Sequence, residues 1–145
     1  MSGYIDQWRS PSGARNLLGT VAAPVTLGTS YTGGSTSSPV TLGGHKYFTV
    51  FVQCTALGGA GRLDLQFEVA ASSGSSDWSP LQTESVSSGA STQSDYEIKK
   101  AVSGTGQALA VSIPIRGFRY WRIKMKSDAG TPQVYVRYFG SGGPV

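Results

Sequence analysis

The sequence has few of the residues on which enzymatic chemistry usually depends. Its 145 residues include one cysteine, Cys54, and one histidine, His45. One of each excludes an intramolecular disulfide and leaves too few ligands for a tetrahedral zinc site. No Gly-x-Ser-x-Gly nucleophile elbow accompanies His45, so it is interpreted as a surface or capping histidine. Cys54 lies in an apolar run and is predicted to be a buried, inert thiol.

Phosphate- and calcium-binding patterns are also missing. The glycine clusters at residues 58–61 and 104–106 lack the Gly-Lys-Ser/Thr ending of a phosphate-binding loop and are interpreted as turns. No loop concentrates acidic residues as a calcium site normally requires. We therefore expect no enzyme, no bound metal and no cofactor.

Charge is sparse and long apolar runs are missing. Charged residues make up 14% of the chain. No apolar run approaches the ~20 residues of a membrane helix, and the first residues lack the charged and apolar regions of a signal peptide. The sequence predicts a soluble protein made in the cytoplasm, with no membrane partner.

Short β-type runs, separated by Gly, Ser and Thr turns, cover most of the chain. Residues 62–69 alternate strictly, with the apolar side chains predicted inward and the polar ones outward. Residues 46–55 form a nearly continuous apolar run, typical of a central strand, and residues 107–115 place four apolar side chains on one face. Residues 86–93 are rich in Ser and predict a long exposed loop. The pattern predicts an all-β, two-sheet sandwich of jelly-roll or related order, with about eight or nine strands.

The predicted organisation is an extended arm over residues 1–19, a sandwich over 20–140 and a tail over 141–145. Residues 1–19 have neither strand nor helix periodicity, yet they carry aromatic and apolar side chains that a disordered tail ordinarily lacks. The arm either docks on a neighbouring subunit or partner, or folds back on its own domain. The predicted partner-binding residues of the arm are Tyr4, Ile5, Trp8, Arg9, Leu17 and Leu18.

Residues 117–140 are predicted to form a long antiparallel hairpin, with Arg119 and Trp121 on its core face. The net charge is +4, and most of the cations lie in the last third of the chain. We expect this region to meet an acidic partner surface. Nucleic acid is not the expected partner, because the aromatic side chains divide between both faces of the strand. The predicted partner-binding cations are Arg122, Lys124, Lys126 and Arg137.

In several features the chain resembles the small jelly-roll decoration, or cement, proteins on the heads of tailed bacteriophages. Shared features are the size, the Gly/Ser/Thr-rich β body, the non-periodic leading segment with Tyr4, Ile5 and Trp8, and the lack of catalytic motifs. The resemblance implies a structural virion protein that binds the outer capsid surface and stabilises it by bridging subunits. It also implies homotrimers, with the major capsid protein as partner.

A second set of residues resembles the discoidin or galactose-binding jelly-rolls. It comprises the stretch Asp77-Trp78-Ser79-Pro80-Leu81, followed by residues 117–123 and 134–137. This resemblance implies a carbohydrate-binding module of a phage fibre, a tail or another surface protein, with Tyr31 and Trp78 as glycan-binding positions. Members usually close their termini with a disulfide, which Cys54 alone cannot form.

Overall fold

The computed structural model describes residues 15–32, 40–41, 45–71 and 77–142. No helix that could cross a membrane occurs among these residues. Their secondary structure consists of twelve strands: β1 (Arg15–Leu18), β2 (Val25–Thr26), β3 (Val40–Thr41), β4 (Tyr47–Ala56), β5 (Arg62–Ala70), β6 (Ser79–Pro80), β7 (Gln82–Ser87), β8 (Ala90–Asp95), β9 (Glu97–Ala101), β10 (Gly106–Pro114), β11 (Tyr120–Ser127) and β12 (Gln133–Ser141).

Two antiparallel sheets form a sandwich. Sheet A has the order β1-β12-β4-β10, with β2 paired to β12, and sheet B has the order β3-β11-β5, with β6 and β9 paired to the other flank of β5. The long strands alternate between the sheets, since β4, β10 and β12 belong to sheet A whereas β5 and β11 belong to sheet B. The predicted all-β, jelly-roll-like sandwich is thereby confirmed. The strand count exceeds the prediction because β1 lies within the predicted arm and most of β8 lies within the predicted loop over residues 86–93.

The core fills the space between the sheets. The ring of Phe48 on β4 contacts the rings of Phe67 on β5 and Trp121 on β11, with centroids 5.7 Å and 5.3 Å away. The apolar side chains of residues 62–69 all point into this core, as predicted. Cys54 is buried there, also as predicted, and burial raises the pKa of its thiol. A buried thiol with a raised pKa is a poor nucleophile.

The predicted hairpin over residues 117–140 is wrong in its pairing. β11 pairs with β5 and β3 in sheet B, whereas β12 pairs with β4 and β1 in sheet A. The turn between them therefore carries the chain from one sheet to the other. Each strand has its own apolar face, which includes Trp121 on β11 and Val136 on β12, and both faces are buried in the shared core. Arg119, predicted to lie on the core face, is exposed.

The first described strand, β1, lies within the predicted arm and belongs to the sandwich instead. Leu17 and Leu18 are 3% and 4% exposed and belong to the core of their own sandwich, so the prediction that they bind a partner is wrong. A register shift between Asn16 and Leu18 lets two consecutive side chains turn inward, which hides the alternation from the sequence. The other predicted arm residues lie outside the described residues: Tyr4, Ile5, Trp8 and Arg9.

Residues 82–95 form a two-stranded ribbon, β7 paired with β8, where the sequence predicts a loop over residues 86–93. Ser88 and Gly89 have φ angles of 52° and 78°, which fits a two-residue type I′ turn. Nearly all ribbon side chains are exposed, so the predicted exposure is confirmed. The ribbon has no apolar alternation, and this explains why the sequence predicts a loop over residues 86–93.

Two turns at one end of the sandwich are in close backbone contact at glycines. The amide of Thr131, after β11, donates to the carbonyl of Gly58, after β4, at 2.9 Å. Gly130 has a φ of +73°, and a Cβ there would overlap the carbonyl oxygen of Gly58. Asp128 accepts hydrogen bonds from the amides of Gly61 and Arg62, at 2.9 Å each, and these bonds lower its pKa. The end of the sandwich therefore depends on a close backbone approach that only glycine permits.

We expect Gly130→Ala to lower the free energy of unfolding by more than backbone strain alone, which costs roughly 1–3 kcal/mol. Gly89→Ala introduces strain at a φ of +78° without a clash, since nothing lies within 4 Å of its Cβ position. Gly104→Ala has neither strain nor clash and should be nearly neutral. Urea unfolding of the three variants measures the loss of free energy of unfolding in each. Equal losses for Gly130→Ala and Gly89→Ala would contradict the close approach of Gly130 to the carbonyl of Gly58.

Candidate functional site

The predicted basic residues are divided between the two outer faces of the sandwich. Arg122, Lys124 and Lys126 alternate with the buried side chains of β11 and lie on the outer face of sheet B. Arg137 lies on β12, where it alternates with the buried Val136, and belongs to the outer face of sheet A. The four cations therefore do not form one surface, because the two strands that carry them lie in different sheets.

Tyr31 reaches the outer face of sheet B from the flank of β11. The segment before it is attached to that flank, since the amide of Ser127 donates to the carbonyl of Gly28 at 2.9 Å and Thr32 bridges to Met125. The ring of Tyr31 lies over the ammonium groups of Lys124 and Lys126, at 5.2 Å and 4.8 Å from its centroid. Its hydroxyl donates to the carboxylate of Glu97 on β9, beyond β5. Burial, and secondly this hydrogen bond, raise the pKa of the Tyr31 phenol.

Trp78 reaches the same face from the opposite flank. It directly precedes β6, whose Ser79 pairs with Val69 of β5. Its ring lies against the guanidinium of Arg122, 4.3 Å from ring centroid to Cζ. The structure thus brings Tyr31 and Trp78, the two residues proposed for glycan binding, together with three of the predicted cations.

Beneath the two rings lies a network of ion pairs. Asp64 accepts two hydrogen bonds from the guanidinium of Arg62, at 2.7 Å and 3.0 Å. Glu68 pairs with Arg122 at 2.8 Å and with Lys124 at 3.7 Å. The sequence correctly places Asp64 and Glu68 on the outward side of β5, but they are only 0% and 9% exposed. Buried charges persist where they are paired and hydrogen-bonded, and both of these carboxylates are paired with cations.

The outer face of sheet A has the opposite character. The rings of Phe51 on β4 and Phe139 on β12 are stacked, with centroids 5.6 Å apart and planes 28° from parallel. Thr49 and Ser112 join β4 to β10 through a hydroxyl hydrogen bond of 3.0 Å. Among the described residues that alternate outward on β4, β10 and β12, Arg137 is the only charged one. Sequence reasoning missed this face, because its residues come from three strands far apart in the chain.

Within the described ranges, no three His, Cys, Asp or Glu side chains group as metal ligands. His45 is exposed at the start of β4. No protein-family model, curated protein or solved structure matches the chain.

We expect the buried, hydrogen-bonded phenol of Tyr31 to make the free energy of unfolding depend on pH in the alkaline range. A phenol whose pKa is raised by folding keeps its proton more tightly in the folded state, so stability is lost as the pH rises past the unfolded value of about 10. Tyr31→Phe has no proton to lose and should reduce this loss. Urea unfolding of both proteins at pH 8 and pH 11 measures the difference, and an unchanged loss in Tyr31→Phe would contradict the assignment.

Proposed function

We propose that the chain is a non-enzymatic structural virion protein that binds the outer surface of a phage capsid and stabilises it. The observation that carries the proposal is the outer face of sheet A. Interface cores are depleted in Lys, Glu and Asp and enriched in aromatic residues and Arg. This face has the stacked pair Phe51 and Phe139, the half-buried Tyr135 and the single charge of Arg137. Such a face suits docking on an uncharged protein surface.

The size of the face supports a partner with repeated binding sites. The four strands β1, β12, β4 and β10 have 4, 9, 10 and 9 residues, and at about 4.8 Å between strands and 3.4 Å per residue they cover roughly 500 Å². A stable protein interface ordinarily buries about 800 Å² per partner. One copy bound through this face alone is therefore held weakly. A capsid offers the same surface many times, and linked copies that bind together gain avidity without new contacts.

Homotrimer formation and arm binding belong to the same proposal. Self-association links several weak faces, and the arm residues Tyr4, Ile5, Trp8 and Arg9 add contacts outside the sandwich. A deletion that tests the arm has to stop before Arg15, because Leu17 and Leu18 are part of the core.

We expect the double variant Phe51→Ser/Phe139→Ser to bind capsids at least tenfold more weakly, since truncating a central aromatic contact ordinarily costs about 2 kcal/mol or more. The measurement is co-sedimentation with capsids of the encoding virus that lack the protein. Both rings are half-buried and lie outside the core cluster, so the variant should stay folded, which circular dichroism checks.

The matched control is Val86→Ser, which removes an apolar side chain that is 67% exposed on the ribbon. It should bind as the unchanged protein does. If the unchanged protein does not bind the capsid, the proposed function is wrong. If Val86→Ser weakens binding and the double variant does not, the ribbon and not sheet A is the contact.

A carbohydrate-binding module is the second candidate, and one observation favours it. Tyr31 and Trp78 arrive from opposite flanks of sheet B and lie on one face, each with a polar or charged group beside its ring. Aromatic rings with a few placed polar groups are the usual composition of a small-molecule site.

On this second reading, Trp78→Ala should abolish retention on a glycan that the unchanged protein binds, because the stacking surface is removed. Affinity electrophoresis through gels containing polysaccharide measures retention. Phe139→Ser, on the opposite face, is the control and should leave retention unchanged. Equal retention of all three proteins would place any glycan binding elsewhere.

A further inference from the structure

We propose that the outer face of sheet B binds an acidic glycan, one that carries carboxylate or sulfate groups. This inference rests on the carbohydrate-binding candidate and specifies its ligand class. It depends on the excess of cations over carboxylates on this face and on their position beside the two rings.

The strands of this face carry five cations and three carboxylates. The cations alternate outward on β5, β9 and β11, and so do the carboxylates. The cations are Arg62, Lys99, Arg122, Lys124 and Lys126, and the carboxylates are Asp64, Glu68 and Glu97. The outward residues of these three strands therefore have an excess of two positive charges, which favours an anionic ligand.

Each of the three carboxylates is engaged with a cation. Asp64 is held by both hydrogen bonds from Arg62, and Glu97 lies 3.5 Å from the ammonium of Lys99. Glu68 is the carboxylate of β5 and β9 that pairs with the row on β11, where it contacts Arg122 and Lys124. The excess charge is therefore located on β11, at the row that ends with Lys126.

This excess charge lies directly beside an aromatic ring. The ammonium groups of Lys124 and Lys126 are 5.2 Å and 4.8 Å from the centroid of the Tyr31 ring. Alternate residues on a strand are about 6.8 Å apart, so the two ammonium groups can contact an acidic group from either side while the sugar ring lies against Tyr31. Trp78, over Arg122 on the same strand, supplies a second ring farther along.

The mixture of groups favours a glycan over a nucleic acid. Glu68 and Glu97 lie among the cations, with Glu97 23% exposed in its side chain. The partly exposed carboxylate of Glu97 can accept a hydrogen bond from a sugar hydroxyl, whereas both carboxylates repel a phosphate backbone that carries a charge on every nucleotide. A glycan with both acidic groups and hydroxyls matches both kinds of side chain.

The test compares polysaccharides that differ only in charge. Polygalacturonate is paired with its fully methyl-esterified form, dextran sulfate with dextran, and an oligo(dT) strand represents nucleic acid. Titration calorimetry with the full chain should show binding to the acidic member of at least one pair, at least tenfold tighter than to its neutral partner. Added salt should weaken that binding.

The decisive variant is Lys124→Gln/Lys126→Gln, which should lose on the order of tenfold in affinity. Its matched control is Lys46→Gln/Lys100→Gln, which removes the same charge from two exposed lysines outside this face. Equal loss in both variants would mean that only net charge matters and would overturn the site.

The remaining outcomes separate this inference from the candidate on which it rests. Equal binding to acidic and neutral members would leave a glycan-binding module but overturn its acidic specificity. No binding to any polysaccharide would overturn both. Tighter binding to oligo(dT), lost in Lys124→Gln/Lys126→Gln, would assign the face to nucleic acid instead.

Discussion

Three aromatic rings that meet between the sheets hold the two halves of this sandwich together. Phe48 of sheet A contacts Phe67 and Trp121 of sheet B edge-on, and all three side chains are fully buried. Such ring pairs stabilise a core by about 0.5–1.5 kcal/mol each beyond their buried area. Because side chains alternate along a strand, the contact that turns these rings inward also turns Phe51 and Arg122 outward. The composition of both outer faces follows from this alternation.

The outer faces of the two sheets present different kinds of side chains. Sheet B carries paired charges on β5, β9 and β11, and two rings from opposite flanks lie against its cations. Among the paired charges, Asp64 is completely buried. A buried charge that lost its partner would strongly destabilise the fold, so the pairing of Asp64 with Arg62 contributes to stability. Sheet A instead presents the Phe51 and Phe139 stack with hydroxyl and amide groups around it.

The sequence predicted strands well where the alternation is unbroken. Residues 62–69 and 107–115 are strands with the expected inward sides, and β4 is the expected central strand. Prediction failed where the alternation of apolar and polar residues is interrupted or absent. Leu17 and Leu18 follow a register shift, and the ribbon of β7 and β8 has no apolar side to reveal it. Tyr31, Trp78 and three of the cations on sheet B were named from the sequence, but their position on one face was not predicted.

By itself, the sequence determined the all-β class, the main strands and which side of each strand is apolar, since a period of two residues is a local property. Only the tertiary structure decided that β11 and β12 lie in different sheets and that Tyr31 covers the charges of sheet B. The contacts that decide these points join distant residues, such as Tyr31 with Glu97, 66 positions apart, and Arg122 with Glu68, 54 positions apart. Alternation defines two sides of a strand, but it does not specify which strand pairs with it or which loop covers its outer side.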